Sequence, residues 1–145
     1  MVERHVRGAI INELVVAARY ALELANEELR TAGVEPEAYG SLAFIGTLQP
    51  VTRKRLAEAS GQRRTTQRDV IRRAIERGHV REYPNPSDGR SALLELTPSG
   101  QKIFDEGRPA FVRALKRLDA ALGGSLDEHE ETVWRIRQAL QELMG

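Results

Sequence analysis

Between Thr52 and Thr97 the hydrophobic pattern changes period, and the order of segments there limits the folds open to the chain. Thr52 can cap a short helix, Arg53 to Ala59. Ser60-Gly61 then makes a tight turn, and a second helix runs from about Arg64 to Arg77 with Val70, Ile71, Ala74 and Ile75 as buried positions. Gly78 ends it. Two short strand signals follow, Val80 to Tyr83 and Ala92 to Leu96, separated by the turn-forming run Pro84-Asn85-Pro86-Ser87-Asp88-Gly89. Helix, short turn, helix and two-stranded hairpin make up the plan of a winged helix-turn-helix.

The flanking segments read as helices. From His5 to Arg30, apolar residues recur at Val6, Ile10, Leu14, Leu22 and Leu29 with the period of a long amphipathic helix. Ile11, Val15, Val16 and Tyr20 widen its apolar surface beyond one seam, so it must be covered from two sides. Either it is the central helix of a domain or it packs against a second subunit. Gly33 ends it, and Pro36 opens a helix whose core face is Tyr39, Leu42, Ala43, Ile45 and Leu48. Thr97-Pro98 starts another, which Gly107 and Pro109 are expected to kink or break because Pro109 cannot donate to Asp105. Gly123-Gly124 stops it. Asp127 then caps a last helix with Glu130 three residues on, and Val133, Ile136, Leu140 and Leu143 form its stripe. The fold class expected is mainly α with a small β-hairpin wing. Its parts are an N-terminal helix (1–32), a winged lobe (33–100) and C-terminal helices (101–145), within one compact domain.

The formal net charge of +1 hides a segregated field. From Pro50 to Arg90 eleven Lys/Arg face five acids, leaving +6, whereas residues 1–49 carry −3 and residues 91–145 carry −2. A basic block between acidic flanks suits a polyanion, because clustered Lys/Arg release counterions on meeting phosphates. No apolar run is long enough to span a bilayer, and Met1 to Arg7 lacks the apolar core of a secretory signal, so a cytoplasmic location is expected. Without cysteine there is no disulfide framework, thiolate nucleophile or thiol-based peroxide sensor. The histidines His5, His79 and His129 are scattered, Glu128, Glu130 and Glu131 suit a helix start, and Gly123-Gly124 lacks the Lys-Ser/Thr of a phosphate loop. An enzyme is not expected, nor a cofactor or metal.

The second helix of such a pair fits the major groove of duplex DNA, with donors near its start within reach of base edges. Here that start reads Gln62-Arg63-Arg64-Thr65-Thr66-Gln67-Arg68. Arginine is the common reader of guanine and glutamine of adenine, while hydroxyls serve phosphates and bases. The residues of the helix pair expected to contact DNA are Arg53, Lys54, Arg63, Arg64, Thr65, Thr66, Gln67, Arg68 and Arg72.

The run from Val51 to Glu58, then Glu76-Arg77-Gly78-His79-Val80, Asp88-Gly89-Arg90, Leu96-Thr97-Pro98-Ser99-Gly100 and Gly33-Val34-Glu35-Pro36 resemble the multiple-antibiotic-resistance regulators, the MarR family. The likeness covers about residues 33–105, and the flanking helices by pattern only. It implies a transcriptional regulator, expected to be a repressor. It also implies an obligate homodimer with interlocked terminal helices, whose two lobes meet successive major grooves of a pseudo-palindrome. By this resemblance Arg90 takes the place of a wing arginine that enters the minor groove. Asp88 then either orients it or simply forms the turn before Gly89. Three positions depart from the family pattern. Gln67 stands for an apolar residue, Asp69 for a basic one and His79 for leucine, implying an altered base preference or a small rotation of the helix. Asp69 is expected to pair with Arg72 or Arg73 one turn on. Family members often answer to small aromatic effectors held between the dimer helices and the lobe, which would put Arg19, Tyr20, Tyr39 and Phe44 around such a pocket. Trp134 and Tyr20 are otherwise core or dimer-interface residues. The competing reading is a winged module that keeps the dimer helices, binds protein and has lost DNA.

Overall fold

The computed structural model describes residues 9–145. Within them the chain forms α1 (Ile10–Thr31), α2 (Pro36–Leu48), α3 (Arg53–Ser60), α4 (Arg64–Glu76), β1 (Val80–Asn85), β2 (Asp88–Leu96), α5 (Pro98–Ala121) and α6 (Leu126–Met144). The expected helix start at His5, with Val6 as its first core position, lies outside the described residues.

Local chemistry explains most boundaries. Gly33 adopts φ 76°, a left-handed conformation, just after α1, where the Gly33 and Val34 amides donate to the Arg30 and Leu29 carbonyls. Glu35 then caps α2 with both carboxylate oxygens, accepting from the Glu37 and Ala38 amides at 3.0 and 2.7 Å. The Thr52 hydroxyl accepts from the Arg55 amide at the start of α3, and that of Thr97 from the Gly100 amide at the start of α5. Pro98 occupies the first helical position of α5.

The core lies in the lobe, where Leu42 and Ile45 of α2, Ile71 of α4 and Leu94 of β2 are fully buried with Leu29 of α1. The two strands are antiparallel, pairing Val80 with Leu96 through to Pro84 with Ala92, and Val51 adds an isolated bridge to Leu94. Gln49 ties these parts together, accepting from the Leu96 amide at 2.8 Å and donating to the Gln101 side chain at 3.0 Å.

Four expectations are corrected. The hairpin is longer than Val80–Tyr83 and Ala92–Leu96: Asn85 pairs with Asp88 around Pro86-Ser87, and the register shift after Pro84 leaves Gly89, Arg90 and Ser91 as a bulge. On α4 the buried stripe is Gln67, Ile71 and Ala74, Val70 is half-buried and Ile75 is exposed. Positions 67, 71 and 74 fall on one line at 3.6 residues per turn, and Ile75 turns away from it. α5 runs unbroken through Pro109. Pro109 and Asp105 both lie on its exposed side, where water can take the freed carbonyl, and Gly107 is buried against the Tyr39 ring. Finally, α6 starts two residues earlier than a cap at Asp127 requires: Ser125 precedes it, and Asp119 accepts from the Leu126 amide at 3.0 Å.

α1 leans on α5 through an ion cluster, in which Glu28 accepts from Arg117 at 2.9 Å and from Arg113 at 3.1 Å, and Arg117 also reaches Glu27. The Glu28 side chain is only 12% exposed. The Arg117 and Arg113 guanidiniums hold its carboxyl below the usual carboxylate range against partial desolvation. A carboxyl depressed in the folded state stabilises the fold fully above its unfolded value, and that stabilisation is lost as pH falls through the lower folded value. Glu28→Gln is therefore expected to melt below the parent at pH 7, with the gap closing below about pH 4. Thermal melts from pH 7 to pH 3 check this, and a pH-independent gap would assign the loss to packing.

Candidate nucleic-acid interface

The first turn of α4 carries no side-chain cap, since Arg63 in the capping place contributes no hydrogen bond there. Its first amides, those of Arg64, Thr65 and Thr66, have no carbonyl one turn back within the helix. The side chains of these three residues and of Arg63 and Arg68 are exposed. Such a helix start combines open N–H groups with the positive end of the helix dipole, which favours an anion.

Around it the cations sort into two groups. Lys54, Arg63, Arg64, Arg68 and Arg90 form no ion pair among the described residues. Arg53, by contrast, is gripped by Glu82 of β1 through Nε at 2.7 Å and Nη2 at 3.1 Å. Arg72 lies between Asp69 at 3.7 Å and Glu76 at 3.2 Å, as the one-turn spacing predicted for Asp69, and Arg73 pairs with Glu37 at 3.6 Å. Of the expected cationic contacts, Arg53 and Arg72 therefore hold carboxylates already.

Lys54 joins the two halves of the surface. It lines a recess of about 190 Å³ between α3 and α4 with Arg64 and Arg68. It also lines a hollow of about 540 Å³ beneath the hairpin with Arg90 and Asp88. The tip itself is built from side chains. Asn85 accepts from the Ser87 amide and donates to the Ser91 hydroxyl, each at 3.0 Å, and Asp88 accepts from the Arg90 amide at 3.0 Å. Of the two roles open to Asp88, the contact made is the turn-forming one. It holds the backbone of Arg90, not its guanidinium.

Gln67 departs from expectation most. Its side chain is 3% exposed and donates to the Arg53 carbonyl at 2.8 Å, so it is turned inward and away from a base. That hydrogen bond, made in the place of an apolar residue under the helix, links α4 to the start of α3. The open α4 amides and the neutralisation of Arg53 by Glu82 were missed in the sequence. The absence of Ser, Thr, Asn or Asp at position 63 was the available signal for the first.

Within this one chain no single hollow is lined by all four residues expected around an effector. Tyr39 lines an open hollow of about 490 Å³ between α1, α2 and α5, with Leu22, Asn26, Leu29, Arg30 and Phe111. Burial pushes the Tyr39 phenol up, with Arg108 opposing. Phe44 instead borders a small recess beside Leu56 and Val70, and Arg19 and Tyr20 lie exposed on α1, Tyr20 at 74%. Trp134 is 55% exposed and is not part of the core of this chain. Among the described residues no His, Asp and Glu group could hold a metal, and no helix is long and apolar enough to cross a membrane.

No protein-family model and no curated protein matches the sequence. Solved structures do match over nearly the whole chain. The Mycobacterium tuberculosis transcriptional regulator MOSR, solved in complex with DNA, superposes with a TM-score of 0.74 at 22% identity, over 92% of this chain and 96% of that one. CouR from Rhodococcus jostii, solved with p-coumaroyl-CoA, gives 0.74 at 20% identity, over 93% and 96%. Apo MarR from Escherichia coli gives 0.63 at 21% identity, over 96% and 99%. Among the described residues, six helices and a two-stranded wing in this order therefore give the chain the winged helix-turn-helix fold of the MarR-family transcriptional regulators.

Proposed function

We propose that the chain is a MarR-family transcriptional regulator that binds duplex DNA sequence-specifically as a homodimer, on a pseudo-palindromic operator, and acts as a repressor. The observation that carries this reading is the uncapped first turn of α4. Its open amides, Arg64, Thr65, Thr66 and Arg68 share one surface with Lys54 and with the wing residue Arg90. α4 enters the major groove by its N-terminus, and Arg90 reaches the minor groove, where narrow width concentrates negative potential.

The dimer reading is supported by the apolar side chains that one chain leaves open. On α1 these include Ile11, Val15, Val16 and Tyr20, on α5 Leu118, and on α6 Val133, Trp134 and Leu140. α6 contains no buried residue at all. A soluble monomer rarely leaves so much apolar surface uncovered. A second copy meeting residues 1–32 and 101–145 covers it, with the lobe at 33–100 left to bind. The hollow beside Tyr39 and Phe111 is the seat proposed for a small aromatic effector, in place of the set Arg19, Tyr20, Tyr39 and Phe44. A cytoplasmic location fits this role.

The competing protein-interaction module drew on Gln67 and Asp69, and neither favours it now. Gln67 is a packing residue, and the Asp69 carboxylate lies beside the Arg72 guanidinium. The test is a fluorescence titration with duplex DNA at several salt concentrations, with light scattering in parallel. If each lobe neutralises about 3–5 phosphates, the logarithmic salt slope of a dimer is about −5 to −9. A slope near zero, or a compact monomer at micromolar concentration, sinks the reading.

A further inference from the structure

The last carbonyls of an α-helix find no partner within it, and those of α3 are claimed from two directions. The Gly61 amide donates to the Ala57 carbonyl at 2.9 Å, closing the turn into α4. The next two carbonyls are taken by α6. Arg137 Nη2 donates to Ala59 at 2.8 Å and to Glu58 at 3.3 Å, and Gln141, one turn further along, reaches Glu58 at 3.4 Å. A guanidinium at this end meets the negative pole of the helix dipole, and its hydrogen bonds are charge-assisted. Arg137 and Gln141 supply the side-chain hydrogen bonds between α6 and the helix-turn-helix among the described residues. The carbonyls they hold directly precede Ser60-Gly61, the turn that sets the direction of α4.

From this contact we propose that Arg137 is a positioning residue for DNA binding, fixing the angle between α6 and the helix-turn-helix and thereby the half-site spacing that the dimer accepts. The proposal rests on the reading above, in which α6 belongs to the dimer body and α4 to the groove. The lobe is joined to that body at the start of α5, where Thr97 and Ser99 donate to the Gly78 carbonyl. α1 and α5 also pack on the lobe core through Leu29, Phe104 and Ala110. The α6 contact adds a hydrogen-bonded tie at the opposite end of the helix-turn-helix, where it resists a rotation about that packed seam. That rotation matters because one base pair inserted between half-sites turns one of them by about 35° around the duplex. A stiff pair of lobes rejects that change, and a loose pair follows it.

The test uses full-length protein and duplexes selected by the parent from a random pool. They are resynthesised with half-sites one or two base pairs closer or further apart. The parent is expected to lose about tenfold or more per base pair of misplacement, the scale of a mismatched site. Arg137→Ala is expected to bind the various spacings within about threefold of one another, with base preference inside each half-site and salt slope unchanged. Arg137→Lys keeps one cationic donor within reach of a carbonyl and is expected to retain part of the discrimination. Melts and light scattering run alongside, and Arg137→Met, which keeps the apolar stem, replaces an alanine variant that fails to fold. A role confined to stability lowers the melt without flattening the spacing profile. A flat profile in folded, dimeric Arg137→Ala supports the proposal, while a parent-like profile or a parent indifferent to spacing overturns it. A parent that selects no duplex at all removes the DNA-binding reading instead, so the two failures are distinct.

Discussion

Gly100→Ala is expected to destabilise the fold by about 3 kcal/mol, the upper end of the usual range for forcing atoms into a packed site. A Cβ built at this position lies 2.0 Å from the His79 carbonyl oxygen and 2.9 Å from its carbon. Both are backbone atoms, so no side chain can swing aside to make room. The same carbonyl accepts from the Thr97 amide at 3.0 Å, and the Gly78 carbonyl before it is held by the Thr97 and Ser99 hydroxyls. Displacing His79 therefore strains the joint where α4, β1 and α5 meet. The expected fall in melting temperature is about 6–12 °C for a chain of this size. Gly107→Ala makes a useful comparison, because its Cβ would meet the Tyr39 ring at 2.1 Å, and a ring can shift where a backbone cannot. Gly107→Ala should cost less. Melts at one fixed protein concentration decide the matter, and a Gly100→Ala melt within about 2 °C of the parent would show that the joint yields freely.

These glycines also mark where sequence reading stops. Gly33 and Gly78 were legible as helix terminators and Gly61 as a turn residue, because a left-handed residue after a helix is a local requirement, and all three show positive φ. The reasons for Gly100 and Gly107 are tertiary, set by His79 and Tyr39 more than twenty residues away. Pro109 belongs to the same class. Local rules predict a break, and packing on α2 and α1 keeps α5 continuous. The order of elements and the cap at Thr52 were legible for the opposite reason, since each rests on neighbours within four residues. Among the candidate contacts, the start of α4 was legible from its run of donors. The fates of Arg53 and Gln67 were not, because Glu82 lies 29 positions from Arg53 and the carbonyl that receives Gln67 lies 14 positions before it. The pairing of Asp69 was legible, since a helix sets it at i to i+3.

The second large effect separates the two kinds of contact proposed for DNA. Arg64, Thr65 and Arg68 stand at the start of α4, where side chains reach base edges, so they should carry sequence preference. Gln67 leaves this group because it is buried. Arg90 stands in the bulge of the wing, where a minor-groove contact gives affinity and shape readout with little base code. Arg68→Ala is expected to lose about 1–3 kcal/mol on the best site and less on others, relaxing the preferred sequence. Arg90→Ala is expected to weaken all duplexes by a similar factor and to lower the salt slope of a dimer by roughly 2. Asp88 holds the Arg90 amide at 3.0 Å, so Asp88→Ala frees the tip without removing the cation. Its loss should be smaller than that of Arg90→Ala and equally indifferent to sequence. Parallel titrations of the three variants against selected and scrambled duplexes, with melts to confirm folding, separate these outcomes. If Arg90→Ala shifts which sequence is preferred while Arg68→Ala weakens all duplexes alike, the wing reads bases and α4 does not, and the docking must be reversed.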